Sequence, residues 1–152
     1  MDNKKIAEKV TLVITDIGIL MFLFLSVFCY KAVEWYINLR QFNMSDFDFN
    51  LCFAMSLISG IMAVILLMSV HSMLYNTIKD KVFIKKNSLC FKIISLCAIG
   101  ICLAFSVVLV KCRVFIALII VVVFLFTGLI SYVIYKFMEN AIRIKEENDF
   151  TI

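Results

Sequence analysis

The chain has 152 residues, 64% of them hydrophobic, with 15 basic and 11 acidic residues and a formal net charge of +4. Ordinary soluble domains run at roughly 45–50% apolar, so a soluble fold of this length is excluded by the apolar surface it would leave in water. The basic excess suits an anionic leaflet, and no segment outside the apolar runs joins a dense basic stretch to stacking aromatics, which excludes direct binding of nucleic acid.

The opening MDNKKIAEK supplies a positive flank, but no small-residue cleavage site follows the apolar run after it. That run is therefore expected to be a retained span rather than a signal peptide. It covers residues 10–30 and is apolar except for Asp16 and a few hydroxyls. At ~1.5 Å per residue its length matches one hydrocarbon core of roughly 30 Å. Residues 31–50 are mixed, with Trp35 and Tyr36 suited to the membrane–water boundary. They are predicted to form a short interfacial helix and a loop. The second span is predicted over 51–75.

Residues 76–88, NTIKDKVFIKKNS, form the one strongly basic break between apolar runs. This hinge sets Lys79, Lys81, Lys85 and Lys86 against Asp80. The third span is predicted over 89–110, followed by a tight turn at Lys111, Cys112 and Arg113, and the fourth over 114–137. In the tail, 138–152, Met138, Ala141 and Ile142 recur at helical spacing, so the fourth helix is expected to continue past the bilayer. Lipid cannot satisfy exposed backbone groups, and these runs are too long for barrel strands. The fold class is therefore all-α: a single domain over 1–152, with four transmembrane helices in a bundle.

Orientation follows from the basic residues. Lys4, Lys5, Lys9, Lys79, Lys81, Lys85, Lys86, Lys92, Lys136, Arg143 and Lys145 fall on one side; Lys31, Arg40, Lys111 and Arg113 fall on the other. Cytoplasmic loops carry the excess, so both termini and the hinge are expected in the cytoplasm of a multi-pass cell-membrane protein.

Each span holds one glycine, and the small-residue pairs Ser56 with Gly60, Gly100 with Ala104 and Thr127 with Ser131 lie one turn apart. These fit close packing of the four helices on one another, or a face for a homo-oligomer. There is no CxxC pair and His71 is the one histidine, so neither a metal nor a cofactor is expected. Cys90, Cys97 and Cys102 are expected to pack as small apolar residues. Cys29, Cys52 and Cys112 fall near the outer face, where two of them could form a disulfide.

Ionisable residues within a span point to function. Asp16, His71 and Lys92 lie at similar depth on the hinge side, a candidate polar cluster that senses or gates; the plainer reading is Lys92 snorkelling and Asp16 solvated near the headgroups. Catalytic motifs are absent, and the chain is not expected to be an enzyme. The basic hinge and the acidic tail share one side. They give a candidate partner-binding face of Lys79, Phe83, Lys85, Lys86, Lys145, Glu146, Glu147, Asp149, Phe150 and Ile152.

The tail KEENDFTI resembles the KEExDLTI-type ending of the domain-of-unknown-function family numbered 2975, small four-span bacterial membrane proteins that include the YoaS-like ones. In the hinge, Val82-Phe83, Asn87 and Lys92-Ile93 resemble that family's "F-s-k-e-N … L-r-r-I" pattern. Ile84 stands where the family has Ser or Thr, Lys86 where it has an acid, Cys90-Phe91 where it has a basic residue and Leu, and Phe150 where it has Leu. The missing hydroxyl at 84 would have capped the third helix, and Asn87 or Ser88 is expected to cap instead. The resemblance implies no established activity. Its members are often encoded beside Cro-like helix-turn-helix regulators, which implies a membrane-bound regulator or anchor for such a protein. The alternative is a small transport or immunity-type protein handling a small or peptide ligand, although the spans carry few polar residues to line an aqueous path.

Overall fold

In the computed structural model the chain is all-α, with α1 (Asn3–Arg40), α2 (Asp46–Ile78), α3 (Lys85–Cys112) and α4 (Phe115–Asp149). The structure describes residues 3–40, 45–112 and 115–149. All four helices are long and apolar enough to cross a membrane. With 28 to 38 residues each, at ~1.5 Å per residue they reach roughly 42–57 Å, more than one hydrocarbon core.

The helices alternate in direction. Asp16 on α1 meets His71 on α2, Asn76 on α2 meets Asn87 on α3, and Ser95 on α3 meets Gly128 on α4. The start of α1, the hinge and the end of α4 therefore share one end of the molecule, the hinge end. Among the described residues, each helix packs only on its neighbours in sequence: α1 on α2, α2 on α3 and α3 on α4. α3 is the most buried of the four and α1 the least.

Close packing comes from small residues. A side chain at Gly128 would meet Ile99 and the backbone oxygen of Ser95, and one at Gly100 would meet the thioether of Met62. The glycines thus serve contacts within the chain, where lipid offers no hydrophobic drive for helices to associate. Ser95 Oγ donates to the Gly128 carbonyl at 2.8 Å in the same seam. Most other hydroxyls in the spans bond the carbonyl one turn back in their own helix, as Thr15, Ser59 and Ser69 do, which satisfies them without a partner.

Helix ends differ from the sequence-based boundaries. Residues 31–40, expected to belong to a separate short interfacial helix and loop, continue α1 unbroken to Arg40. Residues 31–40 contain no Pro or Gly, and Ala32, Val33, Tyr36 and Ile37 form a helical stripe facing an apolar cleft. α2 begins earlier than residue 51 because Ser45 caps it. Asp48 N–H donates to Ser45 Oγ at 3.2 Å and Ser45 Oγ donates back to Asp48 Oδ2 at 3.0 Å, a reciprocal cap. Asp46 and Asp48 place negative charge on the first turn, where the helix dipole favours it. α4 runs to Asp149 with Met138 and Ile142 buried, so the helix does continue beyond residue 137.

Candidate functional site

The hinge end is built around two asparagines. α2 stops when Asp80 adopts a left-handed conformation, φ 57°. Lys81 N–H then donates to the Asn76 carbonyl at 3.0 Å and Asp80 N–H to the Thr77 carbonyl at 3.0 Å, the crossed pair of bonds that closes many helix C-termini. Asn76 Nδ2 donates to Asn87 Oδ1 at 2.7 Å. Asn87 Nδ2 in turn donates to the carbonyls of Lys81 and Val82, both at 2.9 Å. Asn87 is 2% exposed and Asn76 8%, so one buried network ties the end of α2, the hinge and the start of α3 together.

This network corrects the expected cap. Asn87 does not cap α3, because its amide is engaged with the hinge carbonyls and with Asn76. The backbone N–H groups of Asn87 and Ser88 donate to the Ile84 carbonyl at 3.0 and 3.3 Å. Ile84 therefore occupies the capping position with a side chain that cannot accept a hydrogen bond.

Hinge and tail touch. Lys85 Nζ lies 2.8 Å from Glu146 Oε1, joining the first turn of α3 to the last turns of α4. Lys79 Nζ donates to the Tyr75 hydroxyl at 2.6 Å and sits over the same ring. Lys86, Lys145 and Phe83 are exposed. Glu147 lies 3.8 Å from Arg143 on its own helix. The Asp149 side chain, Phe150 and Ile152 lie outside the described residues. Two turns back along α4 from Glu147, Glu139 accepts from Lys136 Nζ at 2.9 Å and from the Tyr135 hydroxyl at 3.0 Å. These bonds, Lys136 first, hold its carboxyl below the usual carboxylate range.

The three residues of the candidate polar cluster divide between two seams. His71 Nδ1 lies 2.7 Å from Asp16 Oδ1, across α1 and α2. Lys92 instead points toward α4, its ammonium 5.8 Å from the centroid of the Tyr135 ring. The reason is register: Lys92 sits on the face of α3 that meets α4, whereas α1 packs on α2 alone.

At the opposite end, Lys111 Nζ is 3.3 Å from Asp48 Oδ1. Cys52 is disulfide-bonded and buried beside Val108, Met55 and Phe105. Cys29 is free, and the Cys112 side chain lies outside the described residues. Cys90 and Cys102 are buried free thiols and Cys97 a half-buried one. In this half of the molecule α1 and α4 stand apart across a cleft of about 480 Å³, lined by all four helices, with Phe22, Ser26, Cys29, Ser59, Phe105 and Phe124 on its walls. Among the described residues no group of three or more His, Cys, Asp or Glu side chains gathers to hold a metal.

Sequence reasoning passed over Asn76 and the Ser45 cap, and gave Asn87 a capping role in place of its bond to Asn76. The cap had a readable signal, Ser45 followed three residues later by Asp48. Asn76 had none beyond its position at the edge of the basic hinge, and nothing in the sequence paired it with Asn87.

No curated protein and no solved structure matches the chain. A family model does, over residues 7–152, nearly the whole length. With four apolar helices of spanning length and that match, the chain belongs to the family described as protein of unknown function, DUF2975.

Proposed function

We propose that the chain is a non-enzymatic multi-pass protein of the cell membrane that anchors or tunes a cytoplasmic helix-turn-helix regulator through its hinge and tail. In this reading both termini and the hinge are cytoplasmic. The observation that carries it is the Lys85–Glu146 contact at 2.8 Å. It draws the helical tail of α4 against the basic hinge and makes one charged surface of two segments far apart in sequence. An exposed pair of this kind contributes only ~0–1 kcal/mol, so the tail is docked loosely and a partner can displace it. Two further facts support the orientation: the basic residues gather at the hinge end, and the disulfide-bonded Cys52 lies at the other end, where an oxidising compartment would keep it. The apolar walls of the cleft offer no aqueous path, which favours an anchor over a transporter.

The test is to replace Lys85 and Lys86 by Glu, and separately to delete residues 148–152. Membrane insertion and co-purification of a helix-turn-helix regulator co-expressed with the chain are then measured. The expected outcome is normal insertion with regulator binding lost or strongly weakened in both variants. Unchanged binding contradicts the proposal, and failed insertion of the truncated chain returns the tail to a structural part.

A further inference from the structure

The cleft between α1 and α4 is bounded by residues of all four span-length helices. Its wall on α1 runs from Phe22 to Ile37, roughly 22 Å at ~1.5 Å per residue. Tyr36 and Ile37 stand at its mouth, and Phe22 on α1, Gly60 on α2 and Phe124 on α4 at its deep end. Trp35 and Tyr36 belong at the membrane–water boundary. The mouth therefore opens at headgroup level, and the deep end reaches the middle of a hydrocarbon core of roughly 30 Å.

The walls exclude a polar occupant. Among the described residues no charged side chain lines the cleft. Ser26 Oγ donates to the Phe22 carbonyl and Ser59 Oγ to the Met55 carbonyl, each at 2.8 Å and each within its own helix. Water or a polar solute would find few partners there. The width excludes a helix. A volume of about 480 Å³ spread over that length leaves a cross-section of roughly 20 Å², against the roughly 80 Å² of a helix 10 Å across. A flexible hydrocarbon tail does fit. A methylene is about the size of a water molecule, whose share of liquid volume is ~30 Å³, so about 480 Å³ takes roughly 16 of them. The way in is lateral, because α1 and α4 do not pack on each other.

We propose that the cleft seats one acyl chain of a bilayer phospholipid, drawn from the leaflet at its mouth, with the headgroup level with Tyr36. In lipid the gain is packing rather than the hydrophobic effect. A tail walled in by several helices makes more close contacts than one lying on an open helix face. The seated chain fills the gap between α1 and α4 and supplies the packing that these two helices do not give each other.

The experiment places the full chain in phosphatidylcholine vesicles doped with a phosphatidylcholine that carries a photoreactive diazirine near the end of one acyl chain. After irradiation the cross-linked residues are mapped by mass spectrometry. Phe22 and Phe124 are expected to be labelled several-fold more than Leu20 and Val123, which lie at similar depth on the same two helices but are 67% and 53% exposed and outside the cleft. Ser56→Phe on α2 and Ala32→Trp on α1 each fill the cleft. Both are expected to bring labelling of Phe22 and Phe124 to background and to leave Leu20 and Val123 as in wild type. Equal labelling inside and outside the cleft overturns the proposal, as does cleft labelling that survives the filling variants; lipid then only bathes the helices. An unlabelled cleft also overturns it, and oxidative Cys29–Cys29 cross-linking between chains would then assign the space to a second copy. Should Ser56→Phe fail to insert, Ala32→Trp and the wild-type ratio decide.

Discussion

Gly100 and Gly128 occupy the same kind of place, a helix face pressed against its neighbour, yet they answer to different neighbours. An added methyl at Gly100 would meet the Met62 sulfur at 2.6 Å and its terminal carbon at 2.9 Å, the far end of a flexible side chain that can swing away. At Gly128 the methyl would meet Ile99 Cγ1 at 2.9 Å and the backbone oxygen of Ser95 at 3.4 Å. Ile is stiff at its branch point, and the backbone cannot retreat without disturbing the Ser95–Gly128 hydrogen bond. Ala in place of Gly also favours the helix by up to ~1 kcal/mol. The expected result is near-neutral stability for Gly100→Ala and a loss of ~1–3 kcal/mol for Gly128→Ala. Thermal unfolding in detergent micelles checks the ordering, and equal melting temperatures for the two variants contradict it.

At the scale of the element, the hinge is defined by hydrogen bonds rather than by its charge. Its lysines point outward, while Asn76 and Asn87 fix the angle at which α2 hands over to α3. Asn87→Ala would leave the Asn76 amide and two hinge carbonyls without their partner, at a cost of ~1–3 kcal/mol for an unsatisfied buried group. The variant is expected to insert with its spans intact but to be cut at the hinge by protease much faster than wild type. Unchanged cleavage would mean that the asparagine network does not hold the hinge. The existence of four helices was legible because each apolar run is long and unbroken. The ends were less so: α1 persists through residues 31–40 because their apolar stripe faces the cleft, a tertiary fact that polarity along the chain hides. The grouping of Asp16, His71 and Lys92 by depth was legible, but depth does not give azimuth. Which helix each side chain faces depends on the order in which the helices pack, and one sequence does not contain that order.

At the scale of the molecule, among the described residues each helix packs on its neighbours in sequence, so α2 and α3 each have two partners and α1 and α4 one each. The hinge, the acidic tail and most of the basic residues fall at one end, and the Cys52 disulfide falls at the other. The proposed role depends on that end being cytoplasmic, because no cytoplasmic regulator reaches a hinge on the outside. The most direct measurement is membrane-impermeant thiol labelling of intact cells, with the free cysteines replaced by Ser. The single new cysteines are Lys81→Cys in the hinge, one added after Ile152, and Lys111→Cys at the opposite end. Labelling of Lys111→Cys from outside, with Lys81→Cys and the added C-terminal cysteine reacting only after the cells are opened, is the predicted result. Labelling of the hinge cysteine in intact cells would contradict the orientation and, with it, the proposed anchoring face.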